Sequence, residues 1–505
     1  MKRCLFFWIL AVVLAALCLG GCAVEEEVAA TIAPEPDPDY PGTPHVVNGY
    51  IVVRGFEWGP GVNKVVLELD TEVDRVIPDE NTAVTTSHYD REITAVYLSD
   101  SLGYETKGSS RYVTFELETS FDCTGSPFEM DMETELNVWA EEYYVDAAVT
   151  VVKDHTYFDV TFYADCIGNR ICPELSRFTD PETFTGEYEN PLTRKMDTLT
   201  LTYTAYEPDS LDSWEQNPLI IWLHGLGEGG TDIEKTILGN EASALTESNI
   251  QSHFISGEQI GAYVLIVQTP TYWLDAGDNT YHRGDLPSRY TEILMDTIEA
   301  YIASNPDVDP DRIYLGGASN GGFMTLEMLI NYPDYFAAGF PCCPAYAYNV
   351  YAKDFRGGYR TFFMNQYIKT NMVYLTEEKV KALLETPIWF MQALNDTIVP
   401  AFDYTLPVYR ALLRAGADNA WCSLYFNSVG TESADTLYLG HWVWIYLLND
   451  QVSYVQDAEA IRESTERTFF YGYRPEADGG SVPVTDEEGH AYESLFDWLN
   501  DQERG

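Results

Sequence analysis

Residues 312–322 read Arg312-Ile313-Tyr314-Leu315-Gly316-Gly317-Ala318-Ser319-Asn320-Gly321-Gly322, and the fold follows from how this stretch must be built. The apolar run up to Leu315 has the composition of a buried strand. After Ser319 a helical pattern begins, carrying Met324, Leu326, Met328 and Leu329. A serine on a sharp strand-to-helix turn is crowded by both elements, so its neighbours must be small. Gly317 and Gly321, two residues to either side, meet that need. The helix N-terminus behind the serine favours negative charge. Ser319 is the candidate nucleophile.

Working outward, strands alternate with helices on both sides of this turn. Leu199–Tyr203, Pro218–Leu223, Val264–Val267, Pro387–Met391 and Ser423–Phe426 read as strands, with helical periods between several of them. Such alternation predicts a mostly parallel sheet covered by helices on both faces. Functional groups on such sheets sit at the carboxyl ends of the strands. Asp396 follows the strand Pro387–Met391 directly, which makes it the candidate acid. Asp418 and Asp435 compete less well, because neither follows a strand so closely. Of the eight histidines, only His441 and His490 lie beyond Asp396. His441, in Leu439-Gly440-His441-Trp442, is the better base; His490 sits in a charged loop. The order Ser319, Asp396, His441 suits a proton-relay nucleophile.

Acyl transfer also needs donors for an oxyanion. The loop Leu223-His224-Gly225-Leu226-Gly227-Glu228-Gly229-Gly230 follows a buried strand, and the N–H groups of Leu226 and Asn320 are the expected pair. His224 reads as a brace for this loop. No P-loop lysine or acidic dinucleotide partner accompanies the glycines, so no nucleotide cofactor is expected. Trp273 and Trp442 are candidate substrate-flanking rings, although such rings often serve packing. Residues 341–386, rich in tyrosine, form a long insertion positioned to cap the site.

The N-terminal part reads differently. Lys2 and Arg3 precede an apolar run from Leu5 to Leu19, the pattern of an export signal. Leu19-Gly20-Gly21-Cys22 resembles the lipobox of bacterial lipoproteins, which makes Cys22 the expected lipid carrier and membrane attachment. An acidic, Pro-rich tether follows. From Val46 to Cys172 short alternating stretches, such as Val65–Leu69, Tyr112–Leu117 and Ala148–Val152, predict a β-sandwich. The expected organisation is a signal peptide over 1–21, a tether over 22–45, a sandwich over 46–175 and a catalytic domain over 176–505.

Against 80 acidic residues stand only 29 Lys and Arg, for a formal charge of -51. That surface repels phosphate backbones and excludes nucleic-acid partners. Outside the export segment lie Cys123, Cys166, Cys172, Cys342, Cys343 and Cys422; the short spacing of Cys166 and Cys172 suggests a disulfide. No Cys-x-x-Cys or His-x-x-x-His cluster suggests a metal site.

Taken together, His224 to Gly230, Asp311-Arg312-Ile313-Tyr314, Gly317 to Gly322, Asp396 with Val399-Pro400, and Gly440-His441-Trp442 resemble bacterial esterases related to the prolyl oligopeptidase and poly(3-hydroxybutyrate) depolymerase branches. Val46–Tyr50 and Phe56–Pro60 resemble the immunoglobulin-like domain that precedes some of them. The resemblance implies an α/β-hydrolase fold behind an immunoglobulin-like sandwich, with Ser319, Asp396 and His441 as the triad. It implies an exported serine esterase acting on small or polymer-linked esters, with a serine peptidase as the rival activity and a non-catalytic surface binding protein as the rival class. One departure is visible: many relatives carry His-Gly where this chain has Gln392-Ala393, a change expected to affect loop packing more than chemistry.

Overall fold

The computed structural model describes residues 42–121, 125–208, 211, 215–362, 367–431, 436–464, 473–475 and 477–505. The expected export segment, Cys22, most of the tether, Cys123 and Asp435 lie outside the described residues. Among those described, no helix is long and apolar enough to cross a membrane.

Two mostly antiparallel sheets form the N-terminal sandwich. One orders the strands Arg170–Ile171, Val46–Phe56, Gly59–Val73, Ser110–Leu117 and Ile93–Ser99. The other is built on the hairpin of Tyr144–Lys153 with Thr156–Asp165. Alternate β-branched and aromatic residues turn inward, so that Ile51, Val53, Val65, Leu67, Phe115, Val149 and Val151 share one core. Cys166 and Cys172 are unbonded thiols, correcting the expectation of a disulfide. The Cys166 thiol is buried and directed at the Ala164 carbonyl, 3.7 Å away.

The second layer system is an eight-stranded sheet. Its strands are β1 (Glu182–Glu189), β2 (Met196–Tyr206), β3 (Asn217–Leu223), β4 (Tyr263–Gln268), β5 (Val308–Ala318), β6 (Ala338–Cys342), β7 (Ile388–Ala393) and β8 (Ala420–Tyr425). They lie in the order β1-β2-β4-β3-β5-β6-β7-β8, antiparallel at β1-β2 and β2-β4 and parallel from β4 onward. Every residue of β3, β4 and β7 is buried, as expected when helices cover both faces. The principal helices are α1 (Ile233–Gly239), α2 (Thr291–Ser304), α3 (Asn320–Asn331), α4 (Glu377–Leu383) and α5 (Thr405–Ala415). The long insertion begins later than expected, because Ala338–Cys342 is a core strand between β5 and β7.

The two domains interlock. Leu238 of α1 joins the sandwich core, while Trp58 of the sandwich packs on the core of the larger sheet. The Glu57 carboxylate, only 5% exposed, accepts from Tyr438 Oη at 2.7 Å and from the Thr431 N–H at 3.1 Å. Both donors belong to the loop that carries His441.

Candidate active site

Ser319 sits where β5 turns into α3, with φ 58° and ψ −108°. A β-carbon on Gly321 would lie 1.9 Å from the Leu223 carbonyl oxygen, and one on Gly317 would lie 2.5 Å from the same atom. The two glycines therefore let α3 and β5 close onto the end of β3. The strained serine backbone, which costs about 1–3 kcal/mol, is held from three sides. Its N–H donates to the Cys342 carbonyl at 2.8 Å, and its carbonyl accepts from Phe323 and Ala345 at 2.9 and 3.0 Å.

From this elbow the Ser319 hydroxyl donates to His441 Nε2 at 2.8 Å, and His441 Nδ1–H donates to Asp396 Oδ2 at 2.8 Å. All three side chains are buried, with Ser319 and His441 each 8% exposed. Burial alone would push the imidazole down. The Asp396 carboxylate against Nδ1 outweighs it, and His441 is raised well above its ordinary value. Asp396 is itself anchored: Oδ1 accepts the Ile398 and Val399 N–H groups, both at 2.8 Å. Oδ2 accepts from Gln392 Nε2 at 3.0 Å, and Gln392 is fixed in turn by Thr405 Oγ1 donating to its Oε1 at 2.7 Å. Gln392 thus does more than pack a loop; it orients the acid. The exposed His490 pairs with Asp486, and Asp418 lies outside the relay.

Below the relay, the Cys343 thiol donates to the His441 carbonyl at 3.4 Å. Burial pushes this thiol far up, so it stays protonated. Cys343, Asp396 and His441 offer three ligand atoms within 4.8 Å of one another. The His441–Asp396 hydrogen bond already uses two of them, so a metal here would compete with the relay.

Neither the Leu226 N–H nor the Asn320 N–H donates a hydrogen bond among the described residues. Asn320 opens α3, where helix geometry leaves its N–H without an internal acceptor. Its side chain accepts the Leu274 N–H at 2.9 Å and ties the loop after β4 to the nucleophile helix. His224 braces the loop as expected: Nδ1–H donates to the Gly225 carbonyl at 2.6 Å and Nε2 accepts the Thr269 N–H at 3.1 Å. Burial pushes its imidazole down to about 4.

Two supports of this loop were not anticipated. The Asn137 N–H, from the sandwich domain, donates to the Gly227 carbonyl at 2.7 Å, while Lys235 Nζ donates to the Asn137 carbonyl at 2.8 Å. The Glu228 carboxyl lies between Gly225 and Gly239, where a β-carbon on either glycine would fall 2.7 Å from it or its Cγ. Burial pushes Glu228 up to about 7, and its Oε2 has no partner among the described residues. Trp273 corrects the substrate-ring expectation: it is fully buried, wedged between His224 and Tyr290. Trp442 is half-buried and meets Phe121 of the sandwich edge-on, with centroids 5.8 Å apart. Its ring is taken up largely by the domain contact.

Strand order, nucleophile elbow and relay together define an α/β-hydrolase with a Ser–His–Asp triad. Residues 48–161 match the family described as the esterase Ig-like N-terminal domain, and residues 282–427 match the prolyl oligopeptidase family. The two matches fall on different parts of the chain, an immunoglobulin-like domain followed by a catalytic domain similar to that of the prolyl oligopeptidase family. A solved thermostable esterase superposes with a TM-score of 0.58 at 21% identity, covering 85% of this chain and 100% of that one. Poly(3-hydroxyalkanoate) depolymerase C of Paucimonas lemoignei is 38% identical over 69 residues, 14% of this chain and 15% of the depolymerase. A probable chloroplastic glutamyl endopeptidase of Oryza sativa subsp. japonica is 23% identical over 320 residues, 60% of this chain and 31% of the endopeptidase. The chain thus spans less than a third of either curated relative.

Proposed function

We propose that the protein hydrolyses carboxylic esters through an acyl-enzyme on Ser319. The observation that carries this reading is the relay itself, with 2.8 Å at each link. Ser319 Oγ attacks the ester carbonyl as His441 Nε2 takes its proton. The negative charge that develops on the carbonyl oxygen is held by the Leu226 and Asn320 N–H groups. His441 then passes the proton to the departing alcohol, and water repeats the sequence to free the acid. Asp396 keeps the imidazole in the tautomer this requires. An intact, fully oriented relay speaks against a purely binding role.

Substrates are small or polymer-linked esters outside the membrane, and the chain is held there by a lipid on Cys22. The Leu19–Cys22 motif behind an apolar run supports that placement. Peptide hydrolysis is the second reading, favoured by the match of residues 282–427 to the prolyl oligopeptidase family. Purified protein treated with a fluorophosphonate should be labelled at Ser319 and should turn over p-nitrophenyl acetate, with both lost in Ser319→Ala. Labelling with turnover of peptides and not esters would replace the esterase by a peptidase. Retention of ester turnover in Ser319→Ala would remove the catalytic assignment. Membrane association should be lost in Cys22→Ala.

A further inference from the structure

The tyrosine-rich insertion encloses a cation that the relay does not use. Arg283 lies in the segment between β4 and α2, with its guanidinium 4.2 Å from the Tyr367 ring centroid and 5.1 Å from that of Tyr281. Tyr359 and Tyr351 pack edge-on against Tyr367, and Tyr404, from the loop after Asp396, stands against Tyr351. Loops following β4, β6 and β7 therefore meet around this side chain. These are loops at the carboxyl edge of the sheet, where Ser319, Asp396 and His441 lie. The connection is short: the Gly284 backbone abuts Ala345, and the Ala345 N–H donates to the Ser319 carbonyl at 3.0 Å.

The guanidinium is unusual in what it lacks. Arg289 pairs with Asp197 at 2.6 Å, and Arg312 spends its N–H groups on Ser256, Ile255 and Asn500. Among the described residues Arg283 has no carboxylate within ion-pair distance. Among those residues its side chain makes one hydrogen bond, a long 3.4 Å donation to Tyr281 Oη. The nearby Asp285 is occupied elsewhere, accepting from Tyr359 Oη at 2.7 Å and the Tyr351 N–H at 2.9 Å. Aromatic faces stabilise a cation without neutralising it. The planar fork of five donors is left to match a carboxylate from outside. In a chain of formal charge -51, an anionic substrate is otherwise repelled, so one unneutralised guanidinium among these loops has a large influence on selection.

We propose that Arg283 is a specificity residue that binds a carboxylate borne by the ester substrate. This rests on the esterase reading. The carboxylate sits either on the acyl chain or on the leaving alcohol, and paired substrates separate the two. On the acyl side, the p-nitrophenyl half-ester of adipic acid is compared with the matching ester of adipamic acid. On the alcohol side, 4-acetoxybenzoate is compared with 4-acetoxybenzamide. In one pair kcat/KM should favour the carboxylate at least ten-fold, mainly through KM, and the preference should shrink with added salt. Arg283→Met should abolish the preference, and Arg283→Lys should restore part of it. Equal rates on acid and amide in both pairs by the wild-type protein would overturn the proposal, without needing any variant to fold. So would an Arg283→Met protein that keeps the preference. Fluorophosphonate labelling of Ser319 is read in parallel: absence of labelling defeats the esterase reading, whereas labelling without a carboxylate preference defeats this inference alone.

Discussion

The two flanks of Ser319 are held in different ways. On the acid side, every link lies within one sheet edge: His441, Asp396, Gln392 and the N–H groups of Ile398 and Val399 saturate one another with hydrogen bonds of 2.8–3.0 Å. On the oxyanion side, the loop from His224 to Gly230 is supported partly by another domain, through Asn137. It also has under it polar atoms without partners among the described residues, including Glu228 Oε2, Asn320 Nδ2 and Trp273 Nε1. The relay's own hydrogen bonds stay within the catalytic domain, with Glu57 of the sandwich holding the loop around His441, whereas the loop of the proposed anion site takes a backbone hydrogen bond directly from the other domain. Breaking the first should damage chemistry outright. Perturbing the second should weaken it by degrees.

The largest effect is expected at the relay. Asp396→Asn should lower kcat by about 10⁴-fold while leaving the fold intact, because the amide favours the wrong tautomer of His441. It also removes what raises the imidazole, so the acidic limb of the pH–rate profile should move to lower pH in any residual activity. Next comes Gln392→Met, which strips one donor from a charged acceptor. A loss of about 1.5–3 kcal/mol, roughly 10- to 100-fold in kcat, should appear with little change in KM. If kcat were unaffected, the orienting role given to Gln392 would be wrong.

Asn137→Pro tests the other flank by deleting the N–H that holds Gly227 together with the side chain beside it, while fixing φ at this position. Loss of one neutral hydrogen bond should cost about 2- to 10-fold in kcat, whereas Asn137→Ala keeps the N–H and should cost less. Equal effects would trace the contact to the side chain instead. Smallest of all is the pH signature of Glu228. Its carboxyl is raised to about 7 in the folded chain from an ordinary 4.5, so the unfolded chain releases this proton first. Stability should therefore fall as pH rises from about 4.5 to 7. His224, lowered to about 4 from 6.5, acts in the opposite sense and removes stability as pH falls through that interval. Denaturation midpoints of Glu228→Gln at pH 5 and pH 7 should lack the decline that Glu228 contributes to the parent.

The same contrast explains what could be read in the sequence. Ser319 and Asp396 each follow a strand within a few residues, and His441 lies on the longer loop after β8, so the strand pattern brings all three to one edge. β3 and β4 announce themselves as nearly continuous apolar runs, and β5 through Ile313-Tyr314-Leu315. β6 did not, because Ala338-Gly339-Phe340-Pro341-Cys342 is short and contains both a glycine and a proline, residues usually depleted from central strands. Gln392 was noticed as a departure but read as loop packing, since nothing local shows that its amide reaches back to Asp396. Asn137 carries no signal at all: its partner Gly227 lies in another domain, and only a backbone N–H is used. Trp273 illustrates the opposite error, a ring beside the site in sequence that is buried under it in space.

Glu57 carries a further consequence. Among the described residues, a carboxylate buried in the domain interface takes its hydrogen bonds across that boundary from Thr431 and Tyr438. Separation of the domains would strand that charge or flood the interface with water, so neither half has a comfortable partly denatured form. Heating should accordingly produce one calorimetric transition for the sandwich and the large sheet, in place of two successive ones.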